Sequence, residues 1–268
     1  MSFWEKYTNI IKSNKSYVCV GLDSELSKIP AHLKENEDPI FAFNKAIIDA
    51  TKDIVACYKP NFAFYLSQGL KSLSSLQKTI AYIPDHIPVI LDIKAGDIGN
   101  TMSNYAKAFF ADWGVDAITC NPLMGQDVIK AIAPFEENFA FILALTSNPS
   151  ASDYLKPNEM YKVISKDIDL LPTCQFGAVV GATNSQELKE LRRLMPETLF
   201  LIPGIGAQGG SLEEVVTNTC YSPQDARFLI NSSRGIIFAD SSDKFAEVAR
   251  EKTDLLRKSI NSYLAECK

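Results

Sequence analysis

Histidine is nearly absent from this chain. Two occur in 268 residues, His32 and His86, and both stand in loop-like stretches close to proline. A Ser-His-Asp triad or a histidine-ligated zinc site therefore has almost nothing to work with, and acid–base chemistry has to come from lysine and aspartate. Cysteine is sparse too: six are scattered without a C-x-x-C spacing. Cys19, Cys57 and Cys120 fall inside strand-like apolar runs, which predicts reduced, buried thiols in a cytoplasmic protein. The longest apolar run, Phe139 to Leu145, is far too short to span a bilayer. The first residues, Met1-Ser2-Phe3-Trp4-Glu5-Lys6, lack the charged-then-apolar form of a signal peptide. Net charge is −5 with acids and bases intermingled, so no basic patch argues for nucleic acid.

What is present is a repeated alternation. Strand-like runs occur at Tyr17–Leu22, Ile54–Tyr58, Val89–Ile93, Asp116–Cys120, Phe139–Leu145, Phe176–Val180, Leu199–Ile202 and Arg227–Ile230. Helical patterns fill the gaps at Pro39–Lys52, Ser67–Ala81, Ile98–Trp113, Asp127–Ala133, Glu159–Leu170, Ser185–Leu194, Ser211–Val216 and Asp243–Ala265, with an additional N-terminal helix over Ser2–Ser13. Strict strand–helix alternation calls for a parallel sheet, and eight strands in this length fit an α/β fold of the (β/α)₈ TIM-barrel type. A doubly wound open sheet is the runner-up. No low-complexity segment, long linker or repeat divides the chain, so residues 1–268 are expected to form a single domain.

Polar residues gather behind the strands: Asp23, Lys59, Asp92, Lys94, Asp97, Ser147, Gln208 and Arg234. In a barrel those positions converge on one rim, the catalytic face. The densest stretch is Val89-Ile90-Leu91-Asp92-Ile93-Lys94-Ala95-Gly96-Asp97. A buried strand does not carry Asp92 and Lys94 unless the charges answer each other, and a spacing of two puts both on one face of the strand end. With Asp97 in the following turn, an acid–base–acid array closes the third strand.

A second concentration, Pro203-Gly204-Ile205-Gly206-Ala207-Gln208-Gly209-Gly210, contains G-x-G-x-x-G between a strand and a helix. Dinucleotide binding is the first reading of such a motif. Here it follows the seventh strand rather than the first, and no acid ends the next strand where a ribose needs one. The loops after strands seven and eight of a barrel commonly hold a phosphate. Glycines let backbone N–H groups approach the anion, and Arg234 with Gly235 adds a charge-assisted fork. A monophosphate site is the better fit.

With these residues assembled, the chain resembles the orotidine 5′-phosphate decarboxylase family, in its longer bacterial-type branch, type 2. The D-x-K-x-x-D-I-x-x-T motif is matched at Asp92, Lys94, Asp97, Ile98 and Thr101. Pro203 to Gly210 and Ser233-Arg234-Gly235 match the phosphate grip, and Gly21-Leu22-Asp23 and Lys59-Pro60-Asn61 fall where the family has its ribose-binding acid and first active-site lysine. Ala63-Phe64-Tyr65-Leu66 departs from the aromatic-then-acidic pattern of that branch.

The resemblance implies conversion of orotidine 5′-monophosphate to UMP and carbon dioxide, the last step of de novo pyrimidine synthesis, without cofactor or metal. It implies Lys94 as proton donor, Asp92 beside the substrate carboxylate, and Lys59 and Asp97 holding the array. Ser147 would read the pyrimidine edge, Gln208 would bridge from the phosphate towards that edge with Gly209 beside it in the phosphate grip, and Asp97, Ile98 and Thr101 would be donated across a homodimer interface. Partners are then the small nucleotide and a second copy of the chain, with no nucleic acid and no membrane. The rivals are a metal-dependent sugar-phosphate decarboxylase or synthase on the same barrel, a non-catalytic phosphate-binding barrel, and an NAD-linked dehydrogenase. The first of these carries an acid for magnesium at the position of Lys59.

Overall fold

A computed structural model describes residues 1–183, 185–205, 210–222 and 225–267. Its eight strands are β1 (Val18–Gly21), β2 (Cys57–Lys59), β3 (Ile90–Ala95), β4 (Ala117–Cys120), β5 (Phe139–Leu145), β6 (Phe176–Val180), β7 (Leu199–Pro203) and β8 (Phe228–Ser232). All pair in parallel in the order β2-β1-β8-β7-β6-β5-β4-β3. The two ends meet through parallel bridges Tyr58↔Val89 and Asn61↔Asp92, with Tyr58 N–H donating to Pro88 (3.1 Å) and Asp92 N–H to Pro60 (2.9 Å). The sheet is a barrel, as the alternation predicts.

Two apolar clusters result from the period of two along each strand. Outward residues such as Val18, Val20, Tyr58, Leu91, Ile118, Ile142 and Ile230 pack under the helices. Inward residues Cys19, Cys57, Ile90, Ala117, Phe139, Phe141, Leu143, Val179, Leu199, Leu201 and Leu229 fill the barrel. Two residues further toward the carboxyl end, the inward residues of four strands turn polar: Cys57 gives way to Lys59, Ile90 to Asp92, Ala117 to Thr119 and Leu229 to Asn231. The top layer of the barrel is thus prepared for chemistry by the same alternation that fills its core.

The other end is closed by the N-terminal helix, Phe3–Asn14, which starts at a Ser2–Glu5 capping box. It sends Phe3 and Tyr7 into the barrel cluster; the Phe3 ring lies 4.4 Å from that of Phe139 and 5.8 Å from that of Phe141. Lys6 pairs with Asp116 at 2.6 Å. The C-terminal helix, Phe245–Glu266, holds the end of this cap through Arg257 and Asn261, which donate to the carbonyls of Asn14 and Lys15.

Several elements differ from expectation. The helix expected over Ser67–Ala81 runs from Leu70 to Tyr82, because Gly69 adopts φ +88° and breaks it from a short turn, Phe62–Leu66. The helix expected over Ile98–Trp113 is α-helical only from Gly99 to Ala106 and continues as a π turn over Lys107–Asp112. Single-turn helices at Ala151–Tyr154 and Arg234–Ile237 are too short to show a period in sequence. Among the described residues no helix is long and apolar enough to cross a membrane.

Phe3 is fully buried, so Phe3→Ala is expected to cost about 3–5 kcal/mol of stability. A loss below about 1 kcal/mol in a denaturant titration would show that the cap does not support the barrel.

Candidate active site

Lys59 is the most buried charge at the top of the barrel, 4% exposed. Its ammonium lies 3.0 Å from Asp92 Oδ2, and Lys94 Nζ lies 2.7 Å from Asp92 Oδ1. The carboxylate therefore bridges two ammonium groups. Asn61 Nδ2 donates to Oδ2 at 3.2 Å and Thr119 Oγ1 to Oδ1 at 2.8 Å, so each oxygen receives two donors and the acceptor capacity of the carboxylate is filled. Burial pushes Asp92 toward the neutral acid, but Lys59, Lys94 and the Thr119 hydroxyl outweigh it and hold the carboxyl well below its usual range. Burial likewise works against charge on Lys59, and the Asp92 and Asp23 carboxylates reverse that and raise it.

The backbone around this array is irregular. Opposite β4 the register of β3 jumps from Leu91↔Ile118 to Ala95↔Cys120, a bulge that re-aims side chains and loosens the ladder. Lys94 takes the left-handed region with φ +52°, an uncommon state for a residue with a side chain. Asp92 and Lys94 do share one side, as their spacing predicts, yet they reach each other across a bulge rather than along a regular pleat.

A cavity of about 290 Å³ opens above this array. Its floor includes Leu143, Val179 and Leu201, and its rim includes Asp23, Thr146, Ser147 and Asn231. Ser147 is set by a close approach: a Cβ on Gly181 would lie 2.5 Å from the Ser147 nitrogen, so only glycine fits there. A second cavity of about 380 Å³ is lined by Gly204, Ile205, Ser233, Arg234 and Gly235. Asp23, Pro203 and Asn231 border both. Gly21 allows the junction, since a Cβ on it would lie 2.6 Å from that of Ser233. Asp23 Oδ1 is buried at the junction without a hydrogen-bond partner among the described residues.

The structure thus brings Asp23, Lys59, Asp92, Lys94, Ser147, Arg234 and Gly235 to one rim. It leaves Asp97, Ile98 and Thr101 outside both cavities. Asp97 accepts a hydrogen bond from the Ile98 N–H at 2.8 Å and forms no ion pair among the described residues. Ile98 is 53% exposed. Gln208 and Gly209 lie outside the described residues. Sequence reading passed over Thr119, Asn61 and Asn231 as site residues. Thr119 and Asn231 were findable as the inward positions two beyond Ala117 and Leu229, and Asn61 as the neighbour of Lys59 in the turn closing β2.

Residues 16–249 match the model of the orotidine 5′-phosphate decarboxylase / HUMPS family. The chain belongs to that family. Among relatives of the orotidine 5′-phosphate decarboxylase / HUMPS type, the Flavobacterium johnsoniae protein named orotidine 5′-phosphate decarboxylase is 49% identical over 251 residues, covering 90% of this chain and 91% of its own. The Parabacteroides distasonis protein of that name is 44% identical over 264 residues, covering 95% and 93%. The solved Leishmania donovani OMP decarboxylase matches with a TM-score of 0.80 at 29% identity, over 96% of this chain and 99% of that one. Leishmania donovani UMP synthase matches with a TM-score of 0.85 at 31% identity, over 98% of this chain and 56% of that one. These bacterial relatives accord with the longer bacterial-type branch of the decarboxylase family.

The buried pair makes a stability prediction. Asp92→Asn leaves Lys59 charged and under-compensated, and is expected to cost about 3 kcal/mol at pH 7, the low end for breaking a buried pair because Asp23 still faces the ammonium. The folded-state pKa of Asp92 lies below the unfolded value of about 3.9, so its contribution is present in full above about pH 5 and fades as pH falls through the depressed native value. Denaturant titrations of both proteins from pH 7 to pH 3 check this; a difference that does not shrink toward pH 3 would contradict it.

Proposed function

We propose that the chain is an orotidine 5′-phosphate decarboxylase, converting orotidine 5′-monophosphate to UMP and carbon dioxide in the last step of pyrimidine (UMP) synthesis, with Lys94 as proton donor. The observation that carries the reading is the Asp92 carboxylate held between the Lys59 and Lys94 ammonium groups beneath a cavity that adjoins the Arg234 cavity.

Decarboxylation breaks the bond from C6 to the carboxylate carbon and leaves the electron pair on C6, with no neighbouring carbonyl placed to take it. A fixed ammonium stabilises that charge and then transfers a proton to C6. Lys94 has the reach and exposure for this, with its side chain 48% accessible while its head is tethered to Asp92. Asp92, ionised and immobile, faces the substrate carboxylate, and the repulsion is relieved as carbon dioxide leaves. Arg234 and Gly235 take the phosphate, Asp23 Oδ1, which has no partner among the described residues, takes a ribose hydroxyl, and Ser147 meets the pyrimidine edge. Binding energy from the phosphate then supports chemistry at a distant carbon. Lys59 separates this reading from a magnesium-dependent relative, because a buried ammonium 3.0 Å from Asp92 repels a divalent cation from the place where such a relative would hold it. Buried free thiols at Cys19, Cys57 and Cys120 favour a reducing compartment, the cytoplasm.

The site is completed by a second copy of the chain. Asp97, Ile98 and Thr101 belong to the D-x-K-x-x-D-I-x-x-T motif yet stand outside their own cavity, on the edge where Ile98, Tyr105, Leu123 and Met124 are 53%, 43%, 78% and 52% exposed. A two-fold interface on that edge covers the apolar residues and carries each Asp97 to the partner's Lys94, in an isologous arrangement.

Lys94→Ala is expected to lower kcat by at least about 10³-fold while UMP binding persists, because the ammonium acts in the transition state. Near-normal turnover would assign the proton to another group. Mixing inactive Lys94→Ala and Asp97→Ala subunits is expected to restore activity, since the heterodimer holds one intact site. Subunit exchange without any return of activity would place Asp97 in its own chain's site.

A further inference from the structure

Thr119 sits at the centre of the bulge between β3 and β4. It is 2% exposed, and its single oxygen makes three hydrogen bonds. It accepts from the Ile93 N–H at 3.1 Å and the Lys94 N–H at 2.9 Å, and it donates to Asp92 Oδ1 at 2.8 Å. A hydroxyl has one proton and two lone pairs, so its capacity is used in full on three consecutive residues.

The register explains the need. Between the Leu91↔Ile118 and Ala95↔Cys120 pairs, β3 spends three residues, Asp92, Ile93 and Lys94, opposite Thr119 alone. A strand carrying two extra residues cannot give its amides the usual ladder partners. The Ile93 and Lys94 N–H groups converge on one point, Thr119 Oγ1, and immediately after that point Lys94 takes φ +52°. The same oxygen's proton fixes the Asp92 oxygen that Lys94 Nζ holds at 2.7 Å. One hydroxyl thus ties the backbone conformation of Lys94 to the carboxylate that tethers its side chain.

We propose that Thr119 is a positioning residue for decarboxylation: its hydroxyl holds Lys94 in the left-handed conformation and Asp92 in one rotamer, setting where the ammonium waits relative to C6. It acts through Lys94 and Asp92. The inference rests on the decarboxylase reading above. Misplacing a catalytic group by about 1 Å costs on the order of 10²-fold in rate, whereas substrate affinity is set by the phosphate, ribose and pyrimidine contacts elsewhere on the rim.

The test compares Thr119→Val, which keeps the shape and removes the hydroxyl, with Thr119→Ser, which keeps the hydroxyl. Orotidine 5′-monophosphate turnover by the wild-type protein is measured first; its absence would refute the decarboxylase reading itself and is distinct from any result on Thr119. Given wild-type turnover, Thr119→Val is expected to lower kcat by about 10- to 100-fold with KM within about threefold, and Thr119→Ser to keep kcat within about threefold. A crystal structure of Thr119→Val is expected to show Lys94 outside the left-handed region. A valine variant within about twofold of wild type in kcat overturns the proposal, as does a loss appearing only in KM or equally in the serine variant. Should Thr119→Val fail to fold, Thr119→Ala and Thr119→Ser compared at matched thermal stability carry the same decision: a serine variant that loses as much kcat as the alanine variant overturns it.

Discussion

The top of this barrel depends on one carboxylate. Asp92 accepts from Lys59, Asn61, Lys94 and Thr119, and without it a nearly fully buried lysine loses its principal counter-charge. An ion pair of this kind is a poor source of net stability compared with apolar packing of the same volume. In the proposed decarboxylation, its place at the barrel mouth is preorganisation: the charges are fixed before substrate arrives, so no reorganisation is needed while charge develops on the reacting carbon.

Everything beneath the array serves to keep it still. Phe139, Phe141, Leu199 and Leu201 fill the barrel below, the N-terminal helix closes the far end with Phe3 and Tyr7, and the C-terminal helix ties down that cap. Regular sheet geometry is given up in β3 between Leu91 and Ala95 and again in β5 between Leu143 and Leu145, and the β3 bulge lies where Asp92 and Lys94 must both enter the cavity. Strain at a single left-handed lysine costs on the order of 1–3 kcal/mol, an amount the packed barrel around it can absorb. Local irregularity and global rigidity are therefore complementary here.

Much of this was legible in the amino-acid order. Eight apolar runs separated by helical patterns gave the barrel, because a parallel sheet buried on both faces leaves a strong apolar signal. Asp92 and Lys94 stood out because charges inside such a run need a reason, and Arg234 because it follows the eighth strand, next to the glycine-rich turn after the seventh. Thr119 did not stand out. A threonine in a strand is ordinary, and only the register shift, which depends on how β3 sits against β4, reveals that its hydroxyl serves two displaced amides. The place of Asp97 was legible as a motif and not as geometry, since its own chain gives it no ion pair among the described residues. Helices of a single turn were missed for want of a period, and the break at Gly69 because a single glycine within an otherwise helical stretch does not by itself end a helix.

The central step of the proposed reaction is proton delivery by a protein ammonium to a carbon that has just lost carbon dioxide. The most direct measurement is turnover of orotidine 5′-monophosphate by the purified protein in D₂O containing EDTA, with the product followed by ¹H NMR. The expected result is stoichiometric UMP carrying one deuterium at C6, formed without added metal, and a rate that collapses in Lys94→Ala. No UMP, UMP only after magnesium is restored, or an undiminished rate in the lysine variant would contradict it.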